Sequence, residues 1–254
     1  MKNQSITEAM LQFIEESPTA FHAAANVEAL LLENGFEKLE NLAEGALVPG
    51  GSYYTMQNGS AVLAVKIPEN PAKGFRIAAS HSDSPCFKIK EVPEMKVENT
   101  YVKLNVEKYG GMILSPWLDR PLSVAGRVFV AGKDGKPEVK LVNLKKDLLI
   151  IPNVAIHFNR EINNGFAYNP QTDMAPLMGL DQELSIKKLC AEAADVAEEE
   201  ILGSDLYVYN RAHHGSGRFP DRLSASGRSA MCLCNAARIS GIEAGRIYQC
   251  VCAV

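Results

Sequence analysis

The chain has 254 residues, 46% of them apolar and 22% charged, with a formal net charge of −4. That length holds one large domain or two smaller ones with a sizeable core, and the mild negative charge argues against a nucleic-acid binder. No stretch approaches the ~20 apolar residues that cross a bilayer, and MKNQSITEAM lacks the apolar core of a secretory signal, so a cytoplasmic protein without a membrane partner is expected.

In chain order, Ile6 to Glu15 places Ile6, Met10, Phe13 and Ile14 at helical spacing, with Ser5 and Glu8 as a capping box. Ser17-Pro18 is read as the cap and first position of a second helix that ends on Gly35. His22 lies on it in a surface or packing role. Ser52–Gln57 and Ser60–Ile67 flank Asn58-Gly59, a strong hairpin signal.

Next comes GFRIAASHSDSP, Gly74 to Pro85. Phe75 to Ala79 reads as a short buried strand that ends at Ser80 and delivers His81 and Asp83 into a loop closed by Pro85. Open α/β sheets carry ligands and chemistry just beyond the carboxyl ends of their strands. There an imidazole can bind a metal through one nitrogen while a nearby carboxylate fixes its tautomer. Taken alone, a histidine at a strand end is more often a hydrogen-bonded structural residue.

The pattern then changes to short strands and turns: Phe87–Val92, Tyr101–Val106, Ala125–Val130 and Glu138–Val142, the last two joined by Lys133-Asp134-Gly135-Lys136. Such β-rich material inside an α/β chain marks an inserted domain. Tyr109-Gly110-Gly111 and Trp117 to Pro121 read as turns or packing corners. An apolar segment from Leu148 brings out a second histidine, His157. Residues 161–179 read as a long loop, 183–200 as partly helical with an acidic solvated face, and Asp205–Asn210 as a strand.

Five collinear pieces carry a resemblance: SPTAFHAA at Ser17–Ala24, AASHSDSPCFKIK at Ala78–Lys90, YGGMILSPWLDRPLSVAGRV at Tyr109–Val128, IPNVAIHFNREINNG at Ile151–Gly165 and DLYVYNR at Asp205–Arg211. In order and spacing they resemble the aspartyl aminopeptidase family of zinc-dependent exopeptidases. The resemblance implies a zinc-peptidase-type α/β domain interrupted by a β-rich dimerisation domain. Residues 1–91 would be the first part of the peptidase domain, 92–204 the insert, and 205–254 the return, aberrant after Arg211 and truncated. It also implies assembly of dimers into dodecamers, and removal of N-terminal, preferentially acidic, residues from peptide substrates. Carried over by position, His81 is a zinc ligand and Asp83 the carboxylate that orients it. His157 is either a metal ligand or a substrate contact. Two zinc ions would polarise the scissile carbonyl and activate a water, with a glutamate as general base.

After Arg211 the chain departs from that family. The expected Arg-Leu-Asp-Asp-Leu segment with its metal-bridging Asp, the Asp-Asn-Glu-Glu stretch with the general base, and a late His ligand are all missing. With His81 and His157 alone, a di-zinc centre cannot be built. A frame shift accounts for the departure: one choice of codons for Ser226–Cys234, read one base forward, spells Leu-Asp-Asp-Leu-Gln-Cys-Ala-Phe. On that reading the two C-x-C pairs, Cys232/Cys234 and Cys250/Cys252, and His213-His214 are by-products rather than a metal site. The rival expectations are a catalytically inactive assembly subunit and a different metal-dependent amide hydrolase using the same loop. The shortened chain is also expected to expose apolar sheet surface.

Overall fold

The computed structural model describes residues 6–40, 47–70, 74–211 and 248–253, the side chains of 6–8 and 248–253 excepted. Two compact units divide the chain, Met1–Ser84 with Arg222–Val254, and Pro85–Asp221. The sequence boundaries drawn at 91/92 and 204/205 therefore differ from the observed ones. The reason is hydrogen bonding: the strand expected to open the return pairs on both sides with strands of the β-rich unit. The capping box at Ser5, the histidine pair at His213-His214 and most of the tail, Cys232 and Cys234 included, lie outside the described residues.

In the first unit, α1 (Ile6–Glu16) and α2 (Ala20–Glu33) pack on a sheet of β1 (Glu37–Lys38), β2 (Ser52–Gln57), β3 (Ala61–Lys66), β4 (Phe75–Ser80) and a late strand, Tyr248–Ala253. Helix α2 starts later than Ser17-Pro18 predicted. Thr19 is its N-cap, while the Ser17 hydroxyl accepts a hydrogen bond from Asn26 Nδ2 (3.0 Å). The helix ends as expected, with Gly35 at φ +75°. Its apolar face meets Tyr54, Val62 and Ala64 of the β2–β3 hairpin. That hairpin turns through Asn58 and Gly59, both at positive φ, which is why this dipeptide is favoured there.

The late strand lies between β3 and β4, antiparallel to the first and parallel to the second. Among the described residues β4 is thus the edge of its sheet. The expectation that β4 is buried is corrected: Phe75 and Ile77 are 71% and 69% exposed. The alternate face packs through Ala78 against the α1–α2 core.

The second unit is a six-stranded sheet. We number its strands β5 (Cys86–Val97), β6 (Tyr101–Tyr109), β7 (Leu122–Ala131), β8 (Pro137–Asn143), β9 (Leu177–Gly179) and β10 (Ile201–Asn210), in the order β8-β7-β10-β5-β6-β9. The expected long loop, 161–179, thus ends in a short strand that pairs with β6.

Inward residues alternate along the strands, as a half-buried antiparallel sheet requires, and α3 (Ile186–Ala194) covers them with Ile186, Cys190 and Ala191. The helix is fixed at both ends from the sheet. Glu94 Oε1 accepts from the Ile186 amide (2.7 Å), and Lys140 Nζ donates to the Ala194 carbonyl (3.0 Å). Trp117 is a packing aromatic, edge-to-face on Phe87 with ring centres 5.1 Å apart. Strands β7 and β10 approach most closely at Gly126, where a Cβ would sit 2.0 Å from the Asp205 carbonyl oxygen.

Candidate functional site

The sequence ties the site to the end of β4, and the local geometry follows from what holds that end. From His81 to Pro85 the chain forms no turn, and β5 begins at Cys86. Ser82 in the middle is buried, and its hydroxyl donates to the Ser60 carbonyl (3.1 Å) at the β2–β3 turn.

The His81 and Asp83 side chains are 41% and 37% exposed and meet each other. His81 Nδ1 lies 2.7 Å from Asp83 Oδ1 and 3.2 Å from the Asp83 carbonyl oxygen. A carboxylate and a carbonyl only accept, so Nδ1 carries the proton and donates to both. Nε2 then carries the lone pair, and among the described residues it makes no hydrogen bond.

This pair fits one place in a zinc site. A histidine ligand commonly donates its other ring N–H to a carboxylate, which sets the tautomer and raises the ligand's basicity. It does not fill the other places. Among the described residues no three His, Cys, Asp or Glu side chains come together, whereas zinc takes three or four protein ligands. The described residues therefore present one histidine–carboxylate pair with the chemistry of a ligand and its orienting acid, and no catalytic step is derived from them.

His157 lies in the second unit, on an exposed turn closed by the Phe158 amide donating to the Ala155 carbonyl (2.9 Å). The neighbouring apolar side chains are also exposed: Val154 by 52% and Phe158 by 85%. The apolar segment that leads to His157 is thus core at Leu149 and Ile151 and surface only after Pro152. Its base is held by Asp119, at φ +56°, whose amide donates to the Ile151 carbonyl and whose Oδ1 accepts from the Asn153 amide, both at 2.9 Å.

Sequence reasoning missed the two residues that fix these loops, Ser82 and Asp119. The signal for Ser82 was its place between His81 and Asp83, on the opposite side of an extended chain. For Asp119 it was a short acceptor next to a Pro-bounded corner, a residue type that tolerates positive φ.

On the sheet face of the second unit that carries β10's alternate side chains, Asp205 takes Arg127 Nε at 2.9 Å and Lys88 Nζ at 3.3 Å. Burial, and next the Asp205 charge, push the Tyr207 phenol up to about 12. This cluster is built of paired charges and an edge-to-face contact between the Tyr207 and Tyr109 rings, and it supports the sheet.

A family model described as aminopeptidase I zinc metalloprotease (M18) matches residues 13–241. Probable M18 family aminopeptidase 2 of Clostridium acetobutylicum is 43% identical over 218 residues, covering 82% of this chain and 50% of that protein. The chain therefore spans about half the length of the curated relatives it matches. Among solved structures, a cryo-EM structure of an Ape4 and Nbr1 complex superposes with a TM-score of 0.86 at 28% identity, covering 98% of this chain and 54% of that one. The mApe1 of Chaetomium thermophilum gives 0.80 at 26% identity, covering 98% and 61%.

Proposed function

The chain belongs to the aminopeptidase I zinc metalloprotease family (M18), and on that premise we propose that it is the ligand-bearing first part of a metallo-aminopeptidase. His81 contributes one zinc ligand through Nε2, and Asp83 holds the ring so that Nε2 carries the lone pair. The observation that carries this reading is the 2.7 Å contact between His81 Nδ1 and Asp83 at the end of β4, the arrangement that prepares an imidazole for a metal.

The chemistry that zinc supplies in such a centre is polarisation of the scissile carbonyl and activation of a water. The substrates are peptides cut at the N-terminal residue, with acidic residues preferred, and the working form is a cytoplasmic homo-oligomer of dimers built toward a dodecamer. His157, on its exposed turn, meets metal or substrate. The β-rich unit, Pro85–Asp221, is the dimerisation unit. These assignments rest on the family resemblance. The tail after Arg211 is read as a shifted frame, and sequencing the gene across those codons tests that directly.

A second reading is an assembly subunit without catalysis. It draws support from the absence, among the described residues, of any three potential ligands together. Elemental analysis and an assay on N-terminal Asp and Glu amides separate the two. About two zinc ions per chain with turnover supports the peptidase. Metal-free, inactive protein that still self-associates supports the subunit.

A further inference from the structure

The geometry points to Ser82 as the residue that positions His81, through an anchor on the β2–β3 turn. This deepens the zinc-ligand reading of His81 and rests on it.

Between β4 and β5 the chain makes no turn, and none of these residues has a positive φ. Consecutive side chains of an extended chain leave on opposite sides, and residues two apart share a side. His81 and Asp83 therefore share the outer side, and Ser80 and Ser82 the inner one. Burial agrees: Ser82 is 4% exposed, against 41% and 37% for the His81 and Asp83 side chains. Ser80 Oγ is also buried but has no hydrogen-bond partner among the described residues. The Ser82 hydroxyl is thus the inner-side group that ties this strand end down, by its 3.1 Å bond to the Ser60 carbonyl.

The position of the anchor matters because it sits midway between the two members of the pair. A part-exposed hydrogen bond between side chains two residues apart holds little by itself, because fixing two side chains in one geometry costs entropy. With the backbone fixed at Ser82, His81 Nδ1 reaches both the carboxylate and the main-chain carbonyl of Asp83 at once. With that anchor removed, the segment rotates about residue 82, the double contact loosens, and either ring nitrogen carries the proton. Ser82 touches neither metal nor substrate. It acts through His81.

The test reads the ring tautomer in metal-free, uniformly 15N-labelled chain. Two-bond 1H–15N correlation is recorded well above the ordinary histidine pKa of about 6.5, where the imidazole is neutral. His81→Gln assigns the His81 resonances. The expected result is a single Nδ1–H tautomer in the parent chain, a mixture of tautomers in Ser82→Ala, and recovery of the single form in Ser82→Thr, which restores the hydroxyl. If Ser82→Ala does not fold, Ser82→Cys, nearly isosteric and a weak donor, is expected to show the mixture. A parent chain already mixed, or a serine-less variant (Ala or Cys) that keeps the pure Nδ1–H form, overturns the proposal. Metal binding is read separately, by adding Zn2+ to the parent chain and following His81 Nε2. An unmoved Nε2 signal there counts against the zinc reading and leaves the tautomer result standing by itself.

Discussion

The two sheets treat similar apolar strands in opposite ways. In the second unit, Leu122 to Gly126 of β7 is buried residue after residue, because β8 and β10 flank the strand and side chains cover both of its faces. In the first unit, β4 has much the same apolar character, yet Phe75, Ile77 and Ala79 look outward. Burial of a strand is therefore a property of what lies on its faces and not of the strand. The chemistry-bearing pair emerges from the exposed strand, while the well-covered sheet is organised around packing and paired charges.

That contrast can be broken or sharpened by substitution, and the chain's single tryptophan, Trp117, reports the second unit. The largest effect is expected for Leu104→Ala, a residue with no exposure in the six-stranded core. It should cost about 2–5 kcal/mol through lost burial and the cavity left behind, read as an earlier Trp117 fluorescence transition in urea. Arg127→Ala comes next. It removes the guanidinium from Asp205, leaves Lys88 as the remaining cation at 3.3 Å, and uncovers the ring of Phe129. A loss of about 1–2 kcal/mol in the same transition is expected, reduced from the buried-pair range because both partners are partly exposed.

The third expectation concerns alkaline pH and reaches both units. Burial pushes the phenols of Tyr54 and Tyr207 up to about 12, helped by the Glu28 and Asp205 carboxylates respectively. A raised folded-state value means that the unfolded chain loses these protons first. Their contribution is therefore complete below about pH 10 and lost as pH rises toward 12. Ultraviolet titration of tyrosinate should show two late phenols, one disappearing in Tyr54→Phe and the other in Tyr207→Phe. The smallest effect is expected for Ile77→Ala, 69% exposed on β4: within about 0.5 kcal/mol by circular dichroism, with reduced binding of a hydrophobic dye. A loss as large as that of Leu104→Ala would show that β4 is covered after all, and the contrast would fall.

Much of this fold is legible in the residues. The Asn58-Gly59 hairpin, the strands of the second unit other than β9, and the Ser80 end of β4 follow from turn chemistry and periodicity, which act over a few residues. The His81–Asp83 contact follows from their spacing in an extended segment. What was not legible depended on partners distant in sequence. Ser17-Pro18 looks like a helix start, but Asn26 takes the Ser17 hydroxyl and the helix begins after Thr19. An apolar run such as Phe75–Ala79 does not say whether both its faces are covered. The strand Ile201–Asn210 follows a helix, and only its pairing with β5 and β7 assigns it to the β-rich unit. His157 follows a segment that is core as far as Ile151 and then leaves it, since Asp119 holds the loop at its base and Val154, Ile156 and Phe158 beyond it are exposed.

The acceptor beneath Ser82 belongs to the main chain of Ser60, so no exchange of that side chain can delete it. Only a change in the shape of the bend can move it. Asn58 and Gly59, which need left-handed backbone angles, therefore govern the aim of an imidazole more than twenty positions downstream. Stiffening or relaxing that bend is a handle on His81 that leaves every atom of the His81–Asp83 pair in place.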